Sequence, residues 1–233
     1  MVTDMDYIIK TEDLHKSFPL GNHEILDVLK GVNIEIPTAK LTILKGRSGS
    51  GKTTLLNILS MLDDPTSGKV FIDGNDIGRM SLRQKESMRR FNVGFVFQSV
   101  ALVPIMSAYE NVDFALKLAD YKGDRDKRIK DVLSVVGLDK RMTHMPSQMS
   151  GGEQQRVAIA RAVAHKPKII FADEPTGALD TLTGLGIIKL FKELIEKEGI
   201  TIVMTTHDPN LMAFGDAVYE MEDGELKYVP AEL

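Results

Sequence analysis

The chain contains no cysteine and no tryptophan. Without cysteine there is no disulfide framework, no thiolate metal site and no cysteine nucleophile, which agrees with a reducing compartment. There is no excess of positive charge either. The 29 lysines and arginines face 33 aspartates and glutamates, for a formal net charge of −4. That balance gives no support to a nucleic-acid binder driven by phosphate neutralisation. No apolar run approaches the roughly 18 residues that a membrane-spanning helix needs; the longest notable one, Ala101 to Met106, is far shorter. The N-terminal stretch from Met1 to Asp6 is acidic and lacks the basic-then-apolar layout of a secretion signal. Internal repeats and low-complexity linkers are also missing. These absences predict a cytoplasmic protein whose membrane role, if it has one, comes through a partner.

What is present is an ordinary globular composition, 27% charged and 43% apolar over 233 residues, enough for one large domain or two packed lobes. Val32, Ile34 and Ile36 alternate with polar neighbours, as in a half-buried strand. Leu41–Leu44 is a short apolar run that ends in glycine-rich sequence, and Leu55, Ile58, Leu59 and Leu62 then recur at helical spacing. This predicts strand, loop, helix. Lys69–Gly74, Val93–Phe97, Ile169–Ala172 and Ile200–Thr205 read as further strands, with a helix over about 183–197. Residues 100–165 read as mainly helical, and the charge run Asp124–Lys130 within them reads as a solvated helix face. Strands alternating with helices predict an α/β protein with a mainly parallel sheet and an inserted helical subdomain.

The glycine-rich stretch from Gly46 through Arg47, Ser48, Gly49, Ser50 and Gly51 to Lys52, Thr53 and Thr54 fills every fixed position of G-x-x-x-x-G-K-[ST]. Glycines let successive backbone N–H groups turn inward around phosphates, and the following helix offers its positive end to the same anion. Lys52 is placed to reach the β- and γ-phosphates, and the Thr53 hydroxyl to ligate Mg²⁺. Asp173 and Glu174 close the apolar run that ends at Ala172. A carboxylate at a strand's end suits a Mg²⁺ site, the role expected of Asp173. The one beside it suits the activation of water, expected of Glu174; acid–base help of this kind is typically worth about 10²- to 10⁴-fold in rate. By itself a strand ending in Asp-Glu is equally an exposed turn.

Met149-Ser-Gly-Gly-Glu-Gln-Gln-Arg156 narrows the reading. Ser150 with Glu153 three residues on predicts a capping box opening a helix through Ala164. Gly151 and Gly152 leave that helix's N–H groups uncovered, so a second anion can dock there. The segment resembles the LSGGQ-type signature of ATP-binding-cassette ATPases. The resemblance covers about residues 7–228, with the family's other elements in order. It implies that Gln98 is the Q-loop glutamine contacting Mg²⁺ and the attacking water, that Asp180 in Ala178-Leu-Asp180 belongs to the D-loop, and that His207 is the switch histidine. Phe18 matches the aromatic that stacks on adenine, unless it is simply core. Leu62–Gly68, Ala172–Gly177 and Pro146–Glu153 look like the MacB/LolD/FtsE-type branch. Departures are mild: Met149 for Leu, Glu153 for Gln, Ala178 for Asn, Phe18 for Tyr.

The fold this implies is a P-loop core with an N-terminal antiparallel β subdomain. The core takes about residues 1–98 and 166–233, and a helical subdomain takes about 99–165. The activity implied is ATP hydrolysis by a homodimer around two ATP, each held by Gly46–Thr54 of one copy and Ser150–Glu153 of the other. The dimer would drive an integral membrane permease subunit, with a large extracytoplasmic domain, from the cytoplasmic face of the membrane. The apolar stretch Ser99–Met106 is either the groove for that partner or packing between lobes. A soluble cassette acting on nucleic acid or ribosomes is the alternative function.

Overall fold

A computed structural model describes residues 7–21 and 24–230. In chain order the elements are β1 (Tyr7–Pro19), β2 (Ile25–Val32), β3 (Glu35–Pro37), β4 (Leu41–Lys45), α1 (Lys52–Leu59), β5 (Ser67–Ile72), β6 (Asn75–Asp76), α2 (Leu82–Asn92) and β7 (Val93–Val96). There follow α3 (Ala108–Leu118), α4 (Arg125–Val135), α5 (Gly151–Val163), β8 (Ile169–Ala172), α6 (Thr181–Glu198), β9 (Thr201–Thr206), β10 (Ala217–Glu222) and β11 (Glu225–Val229). The chain divides into two compact units, one formed by residues up to Ser87 together with those from Thr201 onward, the other by Met88–Ile200. The helical stretch 99–165 thus shares its unit with β7, β8 and α6.

In the first unit β1 is the hub of an antiparallel sheet, paired with β2, β3 and β5, and β6 adds to β5. A second set of strands pairs β10, β4 and β9 in parallel, with β11 antiparallel on β10. Leu41–Leu44 of β4 and all of β9 are buried, as strands covered on both faces must be, which is why they read as continuous apolar runs. Val32, Ile34 and Ile36 are all buried as well, but the strand breaks between them: β2 ends at Val32 and Ile36 lies in β3. Leu55, Ile58 and Leu59 form the buried face of α1. Leu62, expected to join them, lies beyond the helix end and is exposed. The Ser60 N–H returns to Leu56 O and its hydroxyl to Asn57 O, and Met61 then takes a φ of 61°, which ends α1 before the next turn.

In the second unit β7 and β8 pair in parallel. The end of α5 lies so close to β7 that a Cβ on Gly94 would sit 2.4 Å from Ala162 O. Each helix N-terminus from α3 onward carries a side-chain cap: the Ser107–Glu110 box on α3, Asp124 on α4, the expected Ser150–Glu153 box on α5, and Asp180 on α6. Arginines close the C-terminal ends. Arg90 Nε donates to Leu118 O at 2.5 Å, Arg156 Nη1 to Val136 O at 3.2 Å, and Arg128 to both Ala164 O and Val163 O at 2.8 and 2.9 Å. Left-handed glycines also stop two of these helices, Gly199 with φ 67° at the end of α6 and Gly137 with φ 76° just past α4.

Arg128 corrects the reading of Asp124–Lys130 as wholly solvated. Lys127–Asp131 and Lys130–Asp126 are exposed i,i+4 pairs, but the Arg128 side chain is 9% exposed and makes a two-pronged pair with Glu198 at 2.7 and 3.0 Å. Removing it strands a carboxylate and two carbonyls together. Arg128→Met is therefore expected to lower stability in urea unfolding by about 3 kcal/mol. Arg128→Lys restores only part of this, since an ammonium lacks the planar fork. Equal stability of the Met variant and the parent would show that the pair is dispensable.

Candidate functional site

Gly46–Gly51 runs between the end of β4 and the start of α1, and its glycines are there for steric reasons. A Cβ on Gly46 would lie 2.4 Å from Met221 O in β10 and 2.7 Å from Ser50 Oγ. Gly49 and Gly51 have φ of 80° and 107°, conformations that only glycine adopts cheaply. Gly51 is the N-cap of α1, supplies no side-chain cap, and no acid follows in the first turn. Lys52 is buried, and its Nζ donates to Gly46 O at 2.8 Å and Arg47 O at 2.9 Å. Two of the ammonium's three donors are thereby fixed and the charge is aimed by the loop itself. Ser50 Oγ is buried with no hydrogen-bond partner, while Arg47, Ser48, Gly49 and Thr53 are exposed. Two cations, an uncapped helix start and an unpartnered hydroxyl fit a polyphosphate.

Phe18 is 37% exposed on β1, which removes the core alternative. Lys16 Nζ stands 4.9 Å from its ring centroid, anchored by Asp63 Oδ1 and Asp64 O. His207 follows β9 and is exposed; Asp208 beside it caps the 3₁₀ turn Pro209–Phe214. A cavity of about 700 Å³ in this unit is lined by Tyr7, Glu35, Tyr219 and Tyr228 among others; no residue expected to bind ATP lines it.

In the second unit two of the expected residues converge, with a third next to them in the chain. Asp173 continues β8, its N–H reaching Val96 O at 2.9 Å. Glu174 follows with φ 43°, a strained backbone for a side chain longer than glycine's. Its carbonyl accepts from Gly177 N–H at 3.0 Å. The point that a Gly177 Cβ would occupy is 3.2 Å from Gln98 Nε2 and 3.3 Å from Glu174 Oε2, so the amide and the carboxylate share one small space. Beyond Gln98 the chain is strained again, at Val100 with φ 62° and Ala101 with φ 47°. Arg161 of α5 holds both carbonyls, at 3.3 and 2.5 Å, and burial pushes its guanidinium below its usual basicity. Sequence reasoning missed Arg161, and also Asn111. Fully buried in α3, Asn111 donates to Val103 O, Met106 O and Ser107 O and accepts from Val103 N–H, which fixes the shape of the Ser99–Met106 stretch.

The α5 capping box is as expected: Ser150 Oγ accepts from Glu153 N–H at 3.3 Å, and Glu153 Oε2 from Ser150 N–H at 2.9 Å. A Cβ on Gly152 would meet Thr183 Cγ2 at 2.7 Å, and one on Gly151 would meet Leu179 Cδ2 at 3.9 Å, so this turn lies against the start of α6. Asp180 spends its carboxylate on Thr183, taking the N–H at 3.0 Å and the hydroxyl at 2.6 Å, bonds that hold its carboxyl below the usual range. Among the described residues no group of three or more His, Asp or Glu side chains could hold a metal alone, so Mg²⁺ here would need phosphate oxygens as ligands.

Comparison with known proteins adds to this geometry. The family model described as ABC transporter matches residues 29–177. An ABC transporter ATP-binding protein of Methanocaldococcus jannaschii, MJ0796, is 43% identical over 226 residues, covering 94% of this chain and 95% of that protein. A macrolide export ATP-binding/permease protein, MacB, of Vibrio parahaemolyticus is 43% identical over 225 residues, which are 95% of this chain but 34% of that protein. The solved dimeric post-hydrolysis structure of the MJ0796 cassette bound to ADP and Pi superposes with a TM-score of 0.87 at 40% identity, covering 97% of this chain and 99% of that one.

Two glycine substitutions are expected to separate nucleotide binding from turnover. Gly46→Ala puts a methyl group against fixed backbone and is expected to abolish nucleotide binding in a fluorescent-nucleotide titration. Gly177→Ala instead presses on two side-chain ends. It is expected to leave binding intact while phosphate release falls about tenfold. Loss of binding in Gly177→Ala would refute the division.

Proposed function

Because this chain belongs to the ABC transporter family, it is an ATPase cassette, and we propose that it works as the ATP-hydrolysing subunit of a membrane transport complex of the MacB/LolD/FtsE type. The observation that carries the ATP reading is the Gly46–Gly51 loop, which aims Lys52 with its own carbonyls and opens a helix start that no side chain caps. Its N–H groups and Lys52 would hold the β- and γ-phosphates, with the adenine on the ring face of Phe18 that Lys16 leaves open. Mg²⁺, when bound with the nucleotide, supplies neutralisation of phosphate charge; Thr53, Gln98 and Asp173 are the residues that would hold it. Glu174 takes a proton from water, with Gln98 beside it to orient that water and His207 to steady the γ-phosphate. The oxygen attacks γ-phosphorus, the bond to ADP breaks, and phosphate leaves.

Two copies related by a two-fold axis pair around two ATP, the Gly46–Thr54 loop of one facing the Ser150–Glu153 turn of the other. The dimeric form of the MJ0796 cassette supports this reading. ATP joins the copies because its γ-phosphate is contacted from both sides, and hydrolysis removes that bridge. The MacB protein, which carries cassette and permease together, supports a permease partner. No helix among the described residues is long and apolar enough to cross a membrane, in keeping with peripheral attachment at the cytoplasmic face. The docking surface would be Ser99–Met106, where Ile105 is 79% exposed, together with the exposed Phe91, Phe114 and Leu118. Such adaptable apolar side chains suit a short helix of a partner with a large extracytoplasmic domain.

Glu174→Gln is expected to cut phosphate release by at least about 10²-fold while the chain still binds ATP. Solubilised membranes should yield a polytopic subunit with this variant; recovery of soluble partners, ribosomes or DNA alone would sink the transporter assignment. Acidic residues at Leu102 and Val103 should uncouple transport and spare basal ATPase. Unchanged transport in that variant would move the docking surface elsewhere.

A further inference from the structure

The α5 turn carries an acid at the end of a helix that the reading above assigns to an anion. Helix N-termini attract negative charge, and Glu153 already sits in the first turn with its own. Its Oε2 takes the Ser150 N–H at 2.9 Å, a donor that a phosphate would otherwise use, and its charge repels the phosphate. One base opposes this. Arg141 Nε donates to Glu153 Oε1 at 2.9 Å, and its Nη1 donates to His144 Nε2 at 3.1 Å. The backbone of Arg141 is fixed at both ends, its N–H on Leu138 O and its carbonyl on His144 N–H, each at 2.9 Å. Among the described residues Arg141 is the one base within ion-pair distance of Glu153. The Arg141 side chain is 45% exposed and that of Glu153 28%, so the pair adds little to folding. Its effect is on the local field.

We propose that Arg141 is a positioning residue for the ATP-driven pairing of two copies: it holds the Glu153 carboxylate by its second oxygen and cancels its charge, so that Ser150–Gly152 can receive the γ-phosphate of ATP held by the other copy. This rests on the reading of the α5 N-terminus given above. The arginine is then needed because position 153 holds Glu; with an uncharged Gln there, the need disappears. Charge cancellation, unlike support of the fold, makes the effect of Arg141 depend on what stands at 153 and on ionic strength.

The test is a double-mutant cycle in the full chain carrying Glu174→Gln, with Arg141→Met, Glu153→Gln and both together. Dimer formation is followed by analytical ultracentrifugation against ATP concentration at low and high salt. Monomer binding is measured with a fluorescent ATP analogue below the dimerising range. Arg141→Met should raise the ATP needed for half-dimerisation about tenfold, less at high salt, with monomer affinity and melting temperature unchanged. In the Glu153→Gln background the same substitution should matter by no more than about twofold. An equal loss in both backgrounds, or none in either, overturns the proposal. Gly151→Asp serves as the separate check: dimerisation that survives it refutes the reading of the α5 N-terminus, whereas dimerisation blocked by it beside a flat Arg141 cycle refutes the role of Arg141 alone.

Discussion

An α-helix leaves four N–H groups unpaired at one end and four carbonyls at the other, and the way this chain settles those ends organises the rest. Ser107, Asp124, Ser150 and Asp180 close the starts of α3, α4, α5 and α6. Arg90, Arg156 and Arg128 close the far ends of α3, α4 and α5. At α1 the arrangement changes. The cap is Gly51, which has no side chain to offer, and the first turn holds no acid. One helix start is left without a side-chain cap or an acid while the others are provided for internally, and the proposed phosphate-binding loop rests on that asymmetry.

The arginines of the second unit act largely through geometry. A guanidinium fans its donors in one plane and reaches two carbonyls at once, which an ammonium does less well. Arg128 spans Val163 and Ala164 while gripping Glu198. Arg161 spans Val100 and Ala101, where the backbone is held in a conformation that a β-branched residue resists. A net charge near zero conceals this division of labour, because the bonds that matter run from side chain to backbone and leave no trace in a charge count.

The legible parts were those whose information is local. The order of Gly46–Thr54, Gln98, Ser150–Glu153, Asp173–Glu174 and His207 lies in the letters themselves, and so does the Ser150–Glu153 box, because a cap and its partner are three residues apart. The parallel strands were legible because burial on both faces writes a continuous apolar run. Bonds across long stretches of sequence were hidden. Arg128 meets Glu198 seventy residues on, and Arg161 reaches back sixty to Ala101; nothing near either arginine distinguishes it from a solvated one. Leu62 fitted the helical period yet fell outside the helix, since periodicity does not register the Ser60–Met61 stop. The expected helical subdomain of about 99–165 came from the resemblance; the two compact units place β7, β8 and α6 with those helices.

Glu174 has a consequence for how such a chain can vary. Its left-handed backbone, φ 43°, costs about 1–2 kcal/mol for any residue with a side chain and next to nothing for glycine. The position therefore rewards the change that would remove the proposed base: a glycine there would relax the fold and silence the chemistry. Drift toward stability and selection for activity pull in opposite directions at this residue. In the proposed dimer a relaxed copy would still offer its nucleotide loop and its α5 turn to an active copy, so the expected outcome is a poisoned complex and not a missing one.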